Sequence, residues 1–249
     1  MCGIAGFSLS KREKVNATKL SSALLLAIEE RGQHATGVAW NNQTDNKVWV
    51  QKTAIAATEF VRENQLDKLT RTAILHTRWA TKGDVKNNKN NHPIDVRGLV
   101  GVHNGVIYND DELFNRIGAE KRIAEVDSEA IFANILYGVG EIEDKLQDVK
   151  GSAAVAWLNS KDGRVLHLSR ISSSPVVIGI SEKGSVLFAS TEKAVRKGAK
   201  SVGIKLTKVF NLGEGGYLQI EDGSVVDSRV FSSEKRELST TEKKALNLV

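Results

Sequence analysis

Cysteine, proline and long apolar runs are all scarce in this 249-residue chain, and each shortage excludes a class of protein. The only cysteine is Cys2, which rules out an intramolecular disulfide and a thiolate-rich metal site. No apolar stretch near the N-terminus is long enough for a signal peptide or a membrane span. With two prolines and 41% hydrophobic residues, the composition predicts a globular, cytoplasmic protein with a substantial core.

Nucleotide and metal motifs are also missing. The chain contains neither a Walker A motif nor a GxGxxG fingerprint, so we expect no cofactor and no ATP or dinucleotide site. Histidines without the spacing of metal ligands are expected to be structural, with no metal bound; they are His34, His76, His92 and His103.

The net charge of +5 raises the question of a polyanionic partner. Lysines and arginines are scattered along the chain rather than clustered with aromatic residues, so a solvated surface is favoured and a nucleic-acid partner is not expected. The polyanion alternative stays open for Lys82, Lys86 and Lys89, which share one polar loop.

Blocks of short strands alternate with blocks of helices, which indicates an α+β layered domain rather than a doubly wound sheet. We expect one domain over residues 2–231, followed by a polar, helix-prone tail at 232–249. The apolar spacing predicts a short helix over 57–66. The aperiodic residues 81–93 are predicted to form a loop, and long loops in compact domains are often functional.

Cys2 is a candidate nucleophile because of its position directly after Met1. If Met1 is removed, the same residue carries a thiol and a free α-amine, whose reference pKa of about 7.7–8.0 suits a general base. The small side chains of Cys2 and Gly3 are compatible with methionine removal. The alternative is that Cys2 is simply a small residue buried in the first strand.

Asn104 and Gly105 offer two hydrogen-bond donors, a side-chain amide and an unhindered backbone N–H. Donors of this kind stabilise a developing oxyanion, and one of them contributes about 10² to 10³ in rate. Asn-Gly between apolar runs is also a strong signal for a hairpin turn. Both interpretations are open from these residues alone.

Arg78 and Asp127 are two candidate binding residues of opposite charge. Arg78, at the end of a predicted strand, can bind a carboxylate through two parallel hydrogen bonds or form an ordinary surface ion pair. Asp127 can hold an ammonium group or cap a helix N-terminus. Trp79 can form a pocket wall or pack into the core.

Taken in order, the segments RGQHATG, HTRWATKG, NNHP, VHNG and EVDSE that follow Cys2 resemble the class II glutamine amidotransferases. These are glutaminases with an N-terminal nucleophile, and the similarity is greatest to the glutaminase domain of glucosamine-6-phosphate synthase. The resemblance extends to about residue 231 and implies a four-layer αββα sandwich of the N-terminal-nucleophile hydrolase type.

The resemblance also implies a catalytic mechanism. Cys2 would attack the side-chain amide of glutamine and form a γ-glutamyl thioester that water hydrolyses to glutamate. Asn104 and the N–H of Gly105 would form the oxyanion hole. Asp127, with the backbone at Gly105, would hold the α-amino group of the substrate.

Other matched residues would bind the substrate. Arg78 would hold the α-carboxylate of glutamine, Trp79 and Thr81 would lie in a loop that closes over it, and Arg31 would position the nucleophile region. The family usually has aspartate where this chain has His34, a difference that bears on how the loop around Arg31 is held.

The synthase relatives often carry histidine at the position of Lys82, so the loop closure and amino-sugar specificity of the synthases do not transfer directly. We expect a stand-alone glutaminase that passes ammonia to a separately encoded synthase. The alternatives are an amidohydrolase acting on γ-glutamyl compounds or other amides without a partner, and a catalytically silent glutamine-sensing or scaffold subunit. The sequence does not determine the oligomeric state or the ammonia acceptor.

Overall fold

A computed structural model of the protein describes residues 1–42, 44–45, 47–66, 70–161 and 164–231. The predicted tail at 232–249 lies outside the described residues. None of the helices in this part of the chain has the length and apolar character needed to span a membrane.

Two antiparallel sheets form the centre of the molecule. In chain order their strands are Gly3–Ser8 (β1), Ala35–Asn42 (β2), Lys47–Thr53 (β3), Thr72–Arg78 (β4), Ile94–Val96 (β5), Leu99–Ile107 (β6), Gly151–Asn159 (β7), Val165–Arg170 (β8), Val177–Ser181 (β9), Val186–Ala189 (β10), Leu206–Asn211 (β11), Gly216–Glu221 (β12) and Ser224–Val230 (β13).

Helices cover the outer faces of the sheets. They are Ala17–Ile28 (α1), Ala57–Phe60 (α2), Asp110–Ile117 (α3), Ser128–Tyr137 (α4), Ile142–Gln147 (α5) and Glu192–Ser201 (α6), with short 3₁₀ turns at Glu29–Arg31, Asn88–Asn90 and Ala119–Lys121.

The sheets and helices stack in four layers. One sheet has the order β11-β9-β10-β1-β4-β2-β3 and packs against α1 and α6, while the other has the order β13-β12-β8-β7-β6-β5 and packs against α4. An apolar cluster, which includes Ile4, Ile74 and Val102, fills the space between the sheets. Because β1, β4 and β6 are interior strands with both faces covered, their residues are almost all buried, and the expected αββα sandwich is confirmed.

Helix α1 shows how the sequence specifies one of these layers. The Asn16 side chain accepts a hydrogen bond from the N–H of Lys19 at 2.8 Å and caps the N-terminus. Leu20, Leu24 and Ile28 then recur at helical spacing and are fully buried. Full burial of each such side chain stabilises the fold by about 1.5–3 kcal/mol.

The predicted helix over 57–66 is wrong in length, because α2 ends at Phe60. The residues that follow make tertiary hydrogen bonds to α1. The Asn64 amide donates to the Ser21 hydroxyl at 2.8 Å, and the N–H of Leu66 donates to Thr18 Oγ1 at 3.1 Å. These bonds hold the segment against α1 in a non-helical conformation.

Candidate functional site

Cys2 lies immediately before the central strand β1, where the pairing of Gly3 with Thr77 brings it beside the end of β4. The backbone N–H of Trp79 points at Cys2 Sγ at 3.4 Å, and the thiol donates to the Trp79 carbonyl at 3.6 Å. Arg31 Nε donates to the Cys2 carbonyl at 2.9 Å. The thiol and its backbone are therefore held from two sides by separate elements.

The surroundings keep the Cys2 thiol protonated. Burial raises its pKa above the usual range, while the hydrogen bond from Trp79 and the nearby positive charges, Arg78 among them, act in the opposite direction. The carboxylate of Asp127 adds to the rise. A thiol in this environment needs a base before it can act as a nucleophile.

Asn104 and Gly105 lie inside strand β6, so the hairpin-turn alternative is wrong for this pair. They are opposite Ala154 and Ala153 of β7, in an unbroken register from Leu99 to Ile107. Gly105 has φ of +144°, and a Cβ added there would overlap the carbonyl oxygen of Ser152. Only glycine fits this strand at that point.

The amide of Asn104 is buried without a partner. Its side chain is 1% exposed, and neither Nδ2 nor Oδ1 makes a hydrogen bond within the part of the chain that the structure describes. Because an unpaired buried amide costs free energy, such a group calls for a functional explanation. A ligand oxygen that accepts from Nδ2 provides one.

Arg78 is another buried polar group, and its guanidinium has no carboxylate partner among the described residues. Its side chain is 3% exposed and donates to Asn91 Oδ1 at 2.8 Å and to the carbonyls of Lys82 and Gly83 at 2.6 and 3.0 Å. Burial lowers its pKa, and nearby acidic groups, the Asp127 carboxylate among them, oppose that change. A buried guanidinium held only by neutral oxygens is suited to binding an anion.

Asp127 occupies the N-cap position of α4 but makes no capping hydrogen bond with its side chain. Its Oδ2 instead accepts from the N–H of Ile107 at 2.8 Å, which ties α4 to the end of β6. Its charge acts on both Cys2 and Arg78. The sequence predicts substrate-binding roles for Arg78 and Asp127, and the charges of both act on the Cys2 thiol.

A bridge between the sheets brings the two halves of the site together. His76 Nε2, two residues before Arg78 on β4, contacts the carbonyl of His103, the residue before Asn104 on β6, at 3.0 Å. His92 stacks on His76 with ring centroids 4.1 Å apart. Burial lowers the pKa of His76 to about 3 and that of His92 and His103 below the usual range, so these histidines are neutral structural residues.

The contribution of His34 to this site was missed by sequence reasoning. Its Nδ1 accepts from the N–H of Ala80 at 3.0 Å, and its ring stacks on Trp79 at 4.8 Å. Trp79 is 48% exposed, so it is not a core residue, and Thr81 is exposed in the loop that follows. The sequence contained one indication of this contact. The family usually has aspartate at the position of His34, and both side chains can accept the hydrogen bond from Ala80.

Lys82 fixes the same loop to helix α3. Its Nζ lies 2.6 Å from Asp110 Oδ2, a carboxylate that Arg122 also contacts at 2.5 Å. The Lys82 side chain is therefore paired within the protein, whereas Lys86 and Lys89 are exposed. No sequence pattern indicates this ion pair, which joins residues 28 positions apart.

Comparison with known proteins agrees with this geometry. Residues 76–197 match the family model described as a glutamine amidotransferase domain. Glutamine–fructose-6-phosphate aminotransferase (isomerizing) of Sulfolobus acidocaldarius is 28% identical over 91% of this chain, and that of Pyrococcus horikoshii is 33% identical over 76%. The chain spans 40% and 32% of the lengths of these two relatives.

Solved structures share the fold. Glutamine phosphoribosylpyrophosphate amidotransferase from B. subtilis superimposes with a TM-score of 0.73 at 22% identity, covering 94% of this chain and 50% of the other. A glutamine aminotransferase class-II domain protein from Silicibacter pomeroyi gives a TM-score of 0.57 at 15% identity, covering 93% and 100%. From the family model, the sequence relatives and the shared sandwich together, the chain belongs to the class II glutamine amidotransferases.

Proposed function

We propose that this chain hydrolyses L-glutamine to glutamate and ammonia with Cys2 as the nucleophile. The observation that carries the proposal is the buried Arg78, which lies at the end of β4 beside Cys2 and bonds only to neutral oxygens among the described residues, together with Asp127, which is held at the end of β6. Free glutamine is a zwitterion, so its α-carboxylate and α-ammonium groups match these two charges. Its side-chain amide then extends from this head group toward the sulfur.

The reaction begins when the base takes the proton of the thiol. In our proposal this base is the α-amine of Cys2, which becomes free once Met1 is removed. The sulfur attacks Cδ of glutamine, and the oxyanion that develops accepts hydrogen bonds from Asn104 Nδ2 and the N–H of Gly105. The amine returns the proton to the departing nitrogen, so ammonia leaves and a γ-glutamyl thioester remains.

Hydrolysis of the thioester completes the cycle. The amine of Cys2 takes a proton from water, the resulting hydroxide attacks the thioester carbonyl, and the amine returns the proton to the departing sulfur, which leaves as thiol. The sum is glutamine plus water giving glutamate plus ammonia. Dividing amide cleavage into two acyl transfers gives two lower barriers, and no histidine or metal ion is needed.

The other matched residues act on the substrate or the nucleophile. Arg31, through its bond to the Cys2 carbonyl, holds the backbone of the nucleophile. Trp79 and Thr81, in the loop anchored by His34 and Lys82, cover bound glutamine. Exclusion of water by this cover strengthens the hydrogen bonds to the oxyanion.

The recipient of the ammonia in our proposal is a separately encoded synthase, and the reaction takes place in the cytoplasm. The names of the relatives, an aminotransferase and an amidotransferase, both describe transfer of glutamine nitrogen to a second substrate. Free ammonia protonates and diffuses away, so docking of a synthase near the site would conserve it. Stimulation of glutamine hydrolysis by the synthase with its acceptor substrate, compared with the synthase alone, tests this part.

Glutamate release by the purified chain, combined with its intact mass, tests the hydrolysis. We expect the active protein to lack Met1 and the Cys2→Ala variant to release no glutamate. Turnover by Cys2→Ala at the wild-type rate would refute the nucleophile, and full activity of protein that retains Met1 would refute the base. Faster cleavage of γ-glutamyl dipeptides than of glutamine would identify an amidohydrolase of the alternative kind, and a processed chain that binds glutamine without cleaving it would identify a sensing subunit.

A further inference from the structure

Asn91, in the NNHP segment, has a completely buried side chain that contacts Arg78 directly. Its Oδ1 accepts from Arg78 Nη1 at 2.8 Å, and its Nδ2 donates to the carbonyl of Val85 at 2.8 Å and to Asn88 Oδ1 at 3.1 Å. An arginine can only donate and a carbonyl can only accept, so the orientation of the amide is fixed by its partners.

The neutrality of this contact matters for the guanidinium. A carboxylate at the position of Asn91 Oδ1 would orient Arg78 equally well but would neutralise its charge. The carbonyls of Lys82 and Gly83, which hold Nη2, are neutral as well. Three hydrogen bonds thus orient Arg78 and leave its positive charge for a bound anion.

Lys52 on β3 anchors Asn91 from the opposite side. Its Nζ donates to the carbonyls of Asn91 and Pro93 at 2.7 and 2.8 Å. Asn88 completes the arrangement, because its amide donates to the carbonyl of Lys52 at 3.0 Å. The backbone of Asn91 is therefore attached to a strand of the large sheet, and the position of Arg78 depends on this attachment.

We propose that Asn91 is a positioning residue for glutamine binding: with Lys52 behind it, it aims the Arg78 guanidinium at the α-carboxylate of the substrate and leaves the charge of Arg78 intact. This inference rests on the proposed glutamine hydrolysis and deepens it. It assigns a substrate-selective role to a residue that does not itself touch the substrate.

The substitution Asn91→Ala tests the inference in the full chain, with Asn87→Ala as the matched control. Asn87 is an exposed asparagine of the same loop, and its side-chain oxygen accepts from the N–H of Lys89 at 3.2 Å. For Asn91→Ala we expect the KM for glutamine to rise about tenfold, the effect of losing one hydrogen bond to a charged group, with kcat nearly unchanged. Asn91→Asp should raise KM further, because the new carboxylate pairs with Arg78 and repels that of the substrate.

A second ligand separates positioning from a general loss of structure. 4-Aminobutanamide is glutamine without its α-carboxylate, so its inhibition constant against glutamine hydrolysis should not change in Asn91→Ala. An equal loss for both ligands, or an unchanged KM for glutamine, would overturn the inference. If Asn91→Ala fails to fold, Lys52→Met must produce the same selective rise in KM, and an unchanged KM there would also overturn it. A wild-type chain without glutaminase activity would instead refute the proposed function, and this inference with it.

Discussion

Replacing Asn104 by leucine separates the stability of the fold from the chemistry of the site. The Asn104 amide is 1% exposed and has no hydrogen-bond partner among the described residues. Burying an amide in this way costs about 1–3 kcal/mol by protein mutational data. Leucine has nearly the same shape and no polar atom, so it removes that cost. We expect the free energy of unfolding of Asn104→Leu to be equal to that of the wild type or higher by up to about 3 kcal/mol.

The effect on catalysis has the opposite sign. Leucine removes the Nδ2 donor from the proposed oxyanion hole, which should lower kcat by about 10² to 10³, or about 2.7–4 kcal/mol of transition-state stabilisation. The KM for glutamine should change little, because Arg78 and Asp127 keep their contacts. A variant that is more stable and far less active is the signature of a polar group retained for function.

Denaturant unfolding and steady-state glutamate release measure the two effects on the same preparation. Asn134→Leu is the matched control, because Asn134 is equally buried but its amide donates to the carbonyl of Lys145 at 2.8 Å. The control should lose stability and keep its kcat. If Asn104→Leu instead loses stability and retains full activity, its amide serves the fold, and the assignment to the oxyanion hole is refuted.

Two further changes test other parts of the structure. Burial lowers the pKa of His167 to about 4, so the native state keeps it neutral while the unfolded chain binds a proton below about pH 6.5. As the pH decreases from about 6.5 to about 4, this group should therefore lower the free energy of unfolding by about 1.4 kcal/mol per pH unit. His167→Phe preserves the stack on Trp157 and should flatten that slope in denaturant unfolding at pH 7 and 5; an unchanged slope would show that His167 titrates normally. Gly105→Ala should lower both the unfolding midpoint and kcat, since its Cβ overlaps the Ser152 carbonyl and φ is +144°; wild-type values would contradict the close approach.

Much of the fold was predictable because its elements carry periodic apolar patterns. The sequence predicts a strand at about 151–159 and a helix at 110–117, and the observed β7 and α3 have these limits. The three-residue strand β5 gave no such signal, because it is too short for a pattern and exists through its pairing with β6. Local periodicity therefore predicts the long elements, whereas short ones depend on partners distant in the chain.

The site shows the same division between local and distant information. Asn104-Gly105 has the local signature of a hairpin, but pairing of β6 with β7 along its whole length keeps the chain extended. The contact of Asn91 with Arg78 and that of Ala80 with His34 have no local signature, because they depend on how separate loops fold against each other. The residue types of the site could be read from the sequence, but the residues that orient them could not.

The choice of base follows from the environment of the thiol. Burial raises the pKa of Cys2, so in the proposed reaction a nearby group must take its proton. His76 and His103 are poor candidates, because burial lowers their pKa values and so makes them weak bases, and His103 Nδ1 is engaged with Ser128 Oγ at 2.8 Å. The α-amine of Cys2 is bound to the same Cα as the thiol side chain and has a pKa of about 7.7–8.0 when free. In the proposed mechanism the peptide bond to Met1 is therefore what separates an inert thiol from an active one, and Arg31 on the Cys2 carbonyl keeps the new N-terminus in place when that bond is cut.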